Sequence, residues 1–261
     1  MSERRRQKKR ISAVSMQHYF RLVYRSILLL VSLGIYLYNR ILHTGRVLGG
    51  MDENPIILSV LWLVFAVEMV MRMFPNKTES MGCQKQFARN YRQRKDAPMP
   101  AKLNTAHTTL AVFGAWVGLN GIIGILYFTG IIDKGILLLI CMAYSVCDMV
   151  CILYFCPFQS WFMKNKCCGT CRIYNWDYAM MFTPLFFIPK TYTWSLLVLS
   201  LGLMARWEIT FYRHPERFSE NTNGYLKCKN CTEKLCTHKT QLKTLWEEID
   251  RYYAERITRL K

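Results

Sequence analysis

The chain has 261 residues, 52% of them apolar, and its 35 Lys and Arg against 17 Asp and Glu give a net charge of +18. In a soluble protein this excess would suggest nucleic-acid binding, but no motif that reads DNA or RNA accompanies it, so we predict no nucleic-acid partner. The apolar residues stand in long blocks with the charges between them, which is typical of a multi-pass membrane protein. The composition therefore predicts an all-α integral membrane protein in contact with the lipid bilayer.

Six apolar segments predict transmembrane helices, because each approaches the ~20 residues that cross the hydrocarbon core of a bilayer. They lie at residues 20–38, 56–74, 108–132, 136–155, 173–188 and 193–209. The first follows a basic run without a small-residue cleavage site after it, so we interpret it as an uncleaved span whose Arg21 and Arg25 extend to the interface. The last two are short, and a single long span or a re-entrant hairpin is the alternative there.

The distribution of positive charge predicts the orientation of these spans. With the amino terminus inside, 31 of the 35 Lys and Arg residues fall on the cytoplasmic side, and the outer segments hold only Arg40, Arg46, Lys134 and Lys190. This asymmetry is what the positive-inside rule requires, and five spans would place the basic tail outside. We therefore predict two cytoplasmic termini, a membrane domain over residues 1–212 and a cytoplasmic cysteine-rich tail over residues 213–261.

Two groups of metal-ligand residues flank the last predicted hairpin, and both are predicted to face the cytoplasm. Because that compartment is reducing, clustered cysteines there favour metal binding over disulfides. In the second group, two cysteines separated by two residues can chelate one ion from a tight turn, and a histidine completes the set. The sequence therefore predicts an iron–sulfur cluster or zinc as the cofactor. The candidate ligands are Cys156, Cys167, Cys168, Cys171, Cys228, Cys231, Cys236 and His238.

The order of these cysteines carries a resemblance to a known family. A lone Cys156, the Cys167-Cys168-Gly169 sequence and a distant C-x-x-C pair together resemble the cysteine-rich repeat of heterodisulfide reductase subunits. The resemblance covers the cysteines alone and none of the fold. It implies an iron–sulfur cluster as the bound group.

Three functional hypotheses follow from the sequence. The first is iron–sulfur redox or electron transfer at the cytoplasmic face, with a quinone or a protein partner as acceptor. The second is a non-enzymatic membrane scaffold or small transporter in which structural zinc joins the tail to the last hairpin. The third is a membrane enzyme acting on a lipid, with Asp177 or Glu208 as acid or base. No catalytic residue is otherwise predicted.

Ionisable residues inside the apolar segments are costly in lipid and often mark functional sites. Glu68 and Arg72 stand four residues apart and predict a local ion pair. Asp148 is the most deeply placed and has no local partner, so we predict either a functional role or a hydrogen bond between helices. Arg172 and Arg206 are the predicted partners of the two further carboxylates, Asp177 and Glu208.

Two further patterns concern packing. The third segment contains glycines at small spacings, which predict close approach of a neighbouring helix; these are Gly114, Gly118, Gly121 and Gly124. Residues 240–261 have apolar side chains at three- and four-residue steps, which predict an amphipathic helix. We expect that helix to pack over the cysteine-rich region, with a protein partner or self-association as the alternatives.

Overall fold

The computed structural model describes residues 12–42, 55–94, 106–163, 167–231 and 233, and over these residues the protein is all-helical without a sheet. An isolated antiparallel bridge joins Gln93 to Asn223. The α-helices in chain order are α1 Ala13–Ile41, α2 Pro55–Met73, α3 Met81–Gln84, α4 Ala106–Phe128, α5 Lys134–Leu153, α6 Asp177–Phe182 and α7 Thr191–Arg213. A π-helix forms over Phe158–Met163, and short 3-10 helices form over Ala88–Asn90, Cys168–Thr170, Arg172–Trp176, Thr183–Phe187, Pro215–Arg217, Gly224–Leu226 and Cys228–Asn230.

In the described part of the chain, four helices are long and apolar enough to cross a membrane: α1, α4, α5 and α7. They coincide with the predicted spans at 20–38, 108–132, 136–155 and 193–209. The predicted span at 56–74 coincides with α2, a helix of 19 residues. These helices confirm the all-helical fold class over the described residues, and four of them could cross a membrane by length and composition. Six crossings and their orientation stay a prediction.

Local chemistry explains where the long helices begin and end. The Ser12 hydroxyl accepts the Ser15 backbone N–H at 3.1 Å, and the Asp133 carboxylate accepts that of Ile136 at 2.9 Å, so each caps a helix start. After α4, Gly130 adopts φ +77°, a conformation that glycine reaches without steric cost. The third predicted span therefore ends at Phe128 rather than at residue 132.

The helix bundle is apolar outside and partly polar inside. On α1 the large side chains of Phe20, Val23, Ile27 and Leu30 are more than half exposed. The buried residues of the same helix include His18, Arg21, Arg25, Ser32 and Asn39. Large exposed apolar surfaces are rare on soluble monomers and mark contact with a partner or a membrane. This arrangement suits a helix with lipid on one side and a polar protein interior on the other.

Residues 172–187, which include most of the fifth predicted span, lie at the centre of the bundle. They form a 3-10 helix, then α6, then a second 3-10 helix, and α6 packs between α5 and α7. Asn175 leaves helical geometry at φ −96° and ψ 17°, which breaks the run near its start. Pro184 lacks the N–H that would continue the α-helical hydrogen bonds of α6. Broken helical geometry at this depth is tolerated because protein surrounds it.

The residues that follow α7 and the glycines of α4 are two further packing features, and the structure shows the surroundings of both. Residues 214–231 pack on the segment that follows α3, where the Gly224 N–H donates to the Arg92 carbonyl at 2.7 Å. Of the predicted close-approach glycines, Gly124 alone lies against a neighbour, with an added Cβ only 2.5 Å from the Phe187 ring. Gly114, Gly118 and Gly121 have open space around them, so the prediction is wrong for those three. The predicted helix at 240–261 lies outside the described residues.

Candidate functional site

Seven ionisable side chains from four helices and the segment after α2 meet in the interior of the bundle. We call this set the buried charge network; it consists of Arg21, Arg25, Glu68, Arg72, Glu79, Asp148 and Asp177. Three guanidinium groups face four carboxylates, so the network contains one carboxylate more than it has arginines. Buried charges persist only when they are paired and hydrogen bonded, and removing one partner strands the other.

Arg21 and Arg25 contradict the prediction that they extend to the interface. Their exposed fractions are 3% and 1%. Arg21 pairs with Glu79 at 2.9 Å, and Arg25 pairs with Glu68 at 2.8 Å. The prediction was wrong because buried carboxylates on another part of the chain offer these arginines closer partners than the lipid interface does.

The predicted pair of Glu68 and Arg72 is also absent. Glu68 instead contacts both arginines of α1 and accepts a hydrogen bond of 2.7 Å from the Tyr178 hydroxyl. Arg72 pairs instead with Asp177 at the start of α6. The prediction that Asp177 pairs with Arg172 or Arg206 is therefore wrong. Tertiary pairing therefore overrides the local i, i+4 contact, which contributes only ~0.2–0.5 kcal/mol on an isolated helix.

Glu79 lies just after α2 and closes the network on that side. Its carboxylate is fully buried and accepts a hydrogen bond from Arg21. Burial alone would raise the pKa of this carboxyl, but the guanidinium groups of Arg72 and Arg21 together lower it below its usual value. Glu79 is therefore ionised at neutral pH.

A second, partly buried ion pair joins α7 to the 3-10 helix over Arg172–Trp176. Glu208 accepts a hydrogen bond of 2.6 Å from Arg172 and another of 2.9 Å from the indole N–H of Trp176. The pairing of Glu208 with Arg172 is one of the predicted combinations, and it is confirmed. Arg206 instead stacks over the Phe87 ring, with its guanidinium carbon 5.6 Å from the ring centroid.

A cavity of ≈ 130 Å³ lies beside the buried charge network. It is bounded by the middle of α4, the second half of α5, the π-helix, the 3-10 helix after Cys171, and α6. We call it the thiol cavity because five cysteines line it: Cys147, Cys151, Cys156, Cys168 and Cys171. Asp148 and Asp177 also line it, together with the aromatic rings of Trp116, Tyr144, Phe158 and Tyr174. The cavity thus combines thiols, carboxylates and rings, while Cys147 is exposed and connects it to the bundle surface.

Hydrogen bonds connect three of these thiols. The side chains of Cys151 and Cys156 are hydrogen bonded to each other. The Cys156 sulfur also accepts the backbone N–H of Gln159 at 3.4 Å, and the Gln159 side-chain oxygen accepts the Cys168 thiol at 3.1 Å. Burial raises the pKa of the Cys171 thiol to about 11, so this group is protonated at neutral pH.

Among the predicted metal ligands, the structure brings Cys156, Cys168 and Cys171 to the thiol cavity. Cys167 accepts the Gly169 N–H at 3.3 Å, and burial raises the pKa of its thiol to about 11. Cys228 is exposed and Cys231 is half-buried. Within the described ranges, no group of three or more His, Cys, Asp or Glu side chains is placed to hold a metal ion. Cys236 and His238 lie outside those ranges, so the iron–sulfur or zinc prediction stays untested.

Comparison with protein-family models, with curated proteins and with solved structures finds no match for this chain.

Sequence reasoning did not assign Cys147, Cys151 or Gln159 to a site. The two cysteines stand four residues apart on α5 and therefore share a face, which is the signal that would have placed them together. Asp148 comes three residues before Cys151 and lies on nearly the same face. Gln159 carried no such signal, because the π-helix that turns it towards Cys168 has no pattern in the sequence.

Proposed function

We propose that this multi-pass membrane protein carries out thiol–disulfide redox chemistry in the thiol cavity, with an apolar electron acceptor of the quinone class. The observation that supports this most directly is the hydrogen-bonded pair of Cys151 and Cys156 inside a cavity lined by five thiols. The redox function is the one expected from the sequence, and the proposed electron donor is a dithiol.

The lining of the cavity supports a flat apolar ring as the acceptor. Trp116 and Tyr144 pack with their ring centroids 4.8 Å apart, which offers an aromatic surface to a ligand. An apolar protein cavity of about 150 Å³ holds a benzene molecule. The thiol cavity, at ≈ 130 Å³, is close to that size and suits the head group of a quinone.

The proposed reaction balances without a further reagent. Each of Cys151 and Cys156 gives up its Sγ–H bond, and one S–S bond forms between them. The two electrons and two protons released convert both carbonyl oxygens of the quinone to hydroxyls. Asp148, one turn before Cys151, is positioned to move a proton. Asp177 also lines the cavity, and its Oδ1 has no hydrogen-bond partner among the described residues, so it is available to a ligand hydroxyl.

A single-turnover experiment tests this function. The protein is purified in detergent, reduced, freed of reductant and mixed with decyl-ubiquinone while quinone absorbance is followed. We expect one quinone to be reduced per chain and a Cys151–Cys156 disulfide in the peptide mass spectrum. Cys151→Ser and Cys156→Ser should each abolish both signals. Cys147→Ser, on the same helix and cavity wall, should keep them. A reduced wild-type protein that leaves the quinone unchanged would contradict the proposal.

A metal centre is the second candidate, supported by the backbone of two C-x-x-C segments. Both Cys168–Cys171 and Cys228–Cys231 form a 3-10 turn that ends in nearly the same conformation, with φ −69° and ψ 128° at Cys171 and φ −69° and ψ 124° at Cys231. Matching turns of this kind present paired thiolates to one ion. Iron, sulfide and zinc analysis of anaerobically purified protein separates the candidates: zinc favours a structural site in a scaffold or transporter, and iron with sulfide favours a cluster. Cys228→Ser should affect a metal site and leave dithiol chemistry intact.

We also propose six crossings with both termini in the cytoplasm, supported by the charge asymmetry of the sequence. Cys228 is exposed in the structure and would face the cytoplasm. A membrane-impermeant maleimide should therefore modify Cys228 in inside-out vesicles and not in intact spheroplasts. A Lys134→Cys variant, in the predicted outer turn where α5 begins, should show the opposite pattern. Modification of Cys228 in spheroplasts would overturn this orientation.

A further inference from the structure

A basic groove lies where α7 leaves its apolar section, away from the thiol cavity. It has a volume of ≈ 300 Å³, and Arg206, Arg213, Arg217 and His214 line one side of it. Gln86, Phe87 and Ala88 form the opposite wall. Arg206 and Arg213 are seven residues apart on α7, so they project from the same face of the helix.

The acidic residues nearest in sequence already have other partners. Glu208 is paired with Arg172, and Glu216 contacts His214 at 3.2 Å. Within the described residues, neither Arg206 nor Arg213 takes part in an ion pair, although both line the groove. Among the described residues, the groove therefore contains two guanidinium groups that no carboxylate neutralises.

Two of the arginines, Arg206 and Arg217, are held in place by contacts with the opposite wall. Arg206 stacks on the Phe87 ring, and Arg217 donates a hydrogen bond of 2.9 Å to the Gln86 carbonyl. The Gln86 side chain in turn donates to the Arg72 carbonyl at 3.0 Å, which ties the groove wall to the end of α2. Guanidinium groups fixed in this way match the oxygens of a phosphate through paired N–H bonds.

The groove lies at the end of an apolar helix, and this position indicates which ligands can reach it. Ile209 lines it and is 52% exposed, and Tyr212 beside it is 77% exposed. Exposed aromatic residues at helix ends are typical of the membrane–water interface, which is the level of phospholipid head groups. Basic residues at this level attract anionic lipids.

We infer that this groove binds a phosphate group, carried either by an anionic phospholipid or by a phosphorylated molecule in solution. Both sources present the same chemistry to Arg206 and Arg213. The inference is independent of the redox function, because none of its residues lines the thiol cavity.

The thermal unfolding midpoint of the full chain in detergent provides the test. Titrations compare inorganic phosphate with sodium chloride at equal ionic strength, and phosphatidylglycerol with phosphatidylcholine in mixed micelles. We expect inorganic phosphate, phosphatidylglycerol or both to raise the unfolding midpoint above the value measured with the matched control, sodium chloride or phosphatidylcholine. The Arg206→Gln/Arg213→Gln variant should bind at least about a hundredfold more weakly, because it removes two charged donors to the phosphate at once. Arg206→Lys/Arg213→Lys, which keeps the charge and loses the paired geometry, should fall between the two.

The matched control is Lys77→Gln/Arg92→Gln, which removes the same charge from exposed positions outside the groove. Its unfolding midpoint should respond to phosphate and to phosphatidylglycerol as that of the wild type does. A response to phosphatidylglycerol alone identifies a lipid ligand, and a response to inorganic phosphate in phosphatidylcholine micelles identifies a soluble one. The inference is overturned if neither ligand raises the midpoint, if the double glutamine variant keeps the full response, or if the control loses it equally.

Discussion

Arg25 and Glu68 form an ion pair of 2.8 Å that joins α1 to α2, and the Arg25 side chain is wholly buried. The same arginine reaches Asp148 on α5 at 3.4 Å and stacks over the Phe65 ring at 5.6 Å. One side chain therefore connects three helices of the bundle. Its removal should affect all three contacts at once.

We expect Arg25→Met to destabilise the protein strongly, because removing one partner of a buried pair typically costs about 3–5 kcal/mol. The variant Arg25→Met/Glu68→Gln should recover part of this loss, since it also removes one of the carboxylate charges that faced Arg25. Thermal unfolding in detergent measures both effects. Arg40→Met, at an exposed position near the end of the same helix, should unfold like the wild type. Equal midpoints for Arg25→Met and Arg40→Met would show that the buried pair contributes no stability.

Glu79 should make stability depend on pH. Its pKa in the folded protein is lowered below the unfolded value of about 4.3. The folded state thus binds fewer protons than the unfolded state in the interval between the two pKa values, and stability falls as the pH falls through it. The stability gap between wild type and Glu79→Gln should be large at pH 7 and should shrink below pH ~4. Unfolding midpoints measured across this range provide the test.

The control for Glu79 is Glu220→Gln, because Glu220 is exposed. We expect this variant to follow the wild type at every pH. If the gap between Glu79→Gln and the wild type is the same at pH 3 and pH 7, the Glu79 carboxylate does not carry the pH dependence.

Two glycines of α4 should respond to alanine in opposite directions. Alanine is favoured over glycine within a helix by ~1 kcal/mol, and Gly118 has open space for the added methyl group. Gly118→Ala should therefore be neutral or stabilising. At Gly124 the methyl group would lie 2.5 Å from the Phe187 ring, and overpacking of this kind costs about 1–3 kcal/mol. Unfolding midpoints should place Gly124→Ala below the wild type; a stabilised Gly124→Ala would refute the close contact.

Glu208 should anchor the short helix over Arg172–Trp176 to α7. The Trp207 indole N–H donates to the Arg172 carbonyl at 2.7 Å, so the two elements are already joined beside this carboxylate. Glu208→Ala leaves the donors of Arg172 and Trp176 without their acceptor, which should cost ~1–3 kcal/mol. We expect faster proteolysis between Arg172 and Trp176 together with a lower unfolding midpoint. Digestion at the wild-type rate would argue against this anchoring role.

The sequence was sufficient to predict the long helices, because block length and apolar content determine which segments suit a bilayer. It also included the pairing of Glu208 with Arg172 among the candidate combinations. Prediction from the sequence failed for residues whose ion-pair partners come from distant segments of the chain. Arg21 and Arg25 were assigned to the interface because their carboxylate partners, Glu79 and Glu68, lie more than forty residues away in the chain. No local pattern encodes such a pairing.

The thiol cavity shows the same limit. The cluster of Cys167, Cys168 and Cys171 stood out by its spacing, whereas Cys147 and Cys151 looked like ordinary small residues of an apolar helix. What unites them is the break of helical geometry after α5, where the chain turns back towards α6. Breaks of this kind depend on the packing around them, and the periodicity of apolar residues in the sequence does not predict them.

The contact between Arg25 and Asp148 spans 123 positions of the chain. During synthesis, α1 therefore emerges before all of the carboxylates that pair with its arginines: Glu68 and Glu79 follow first, and Asp148 follows much later. Two guanidinium groups without counter-charges are unfavourable in lipid. We expect α1 to stay at the translocation machinery or the head-group level until the nascent chain has passed Glu79, and to complete its contacts only after Asp148. The order in which the helices become available would then determine when the first of them takes its final position.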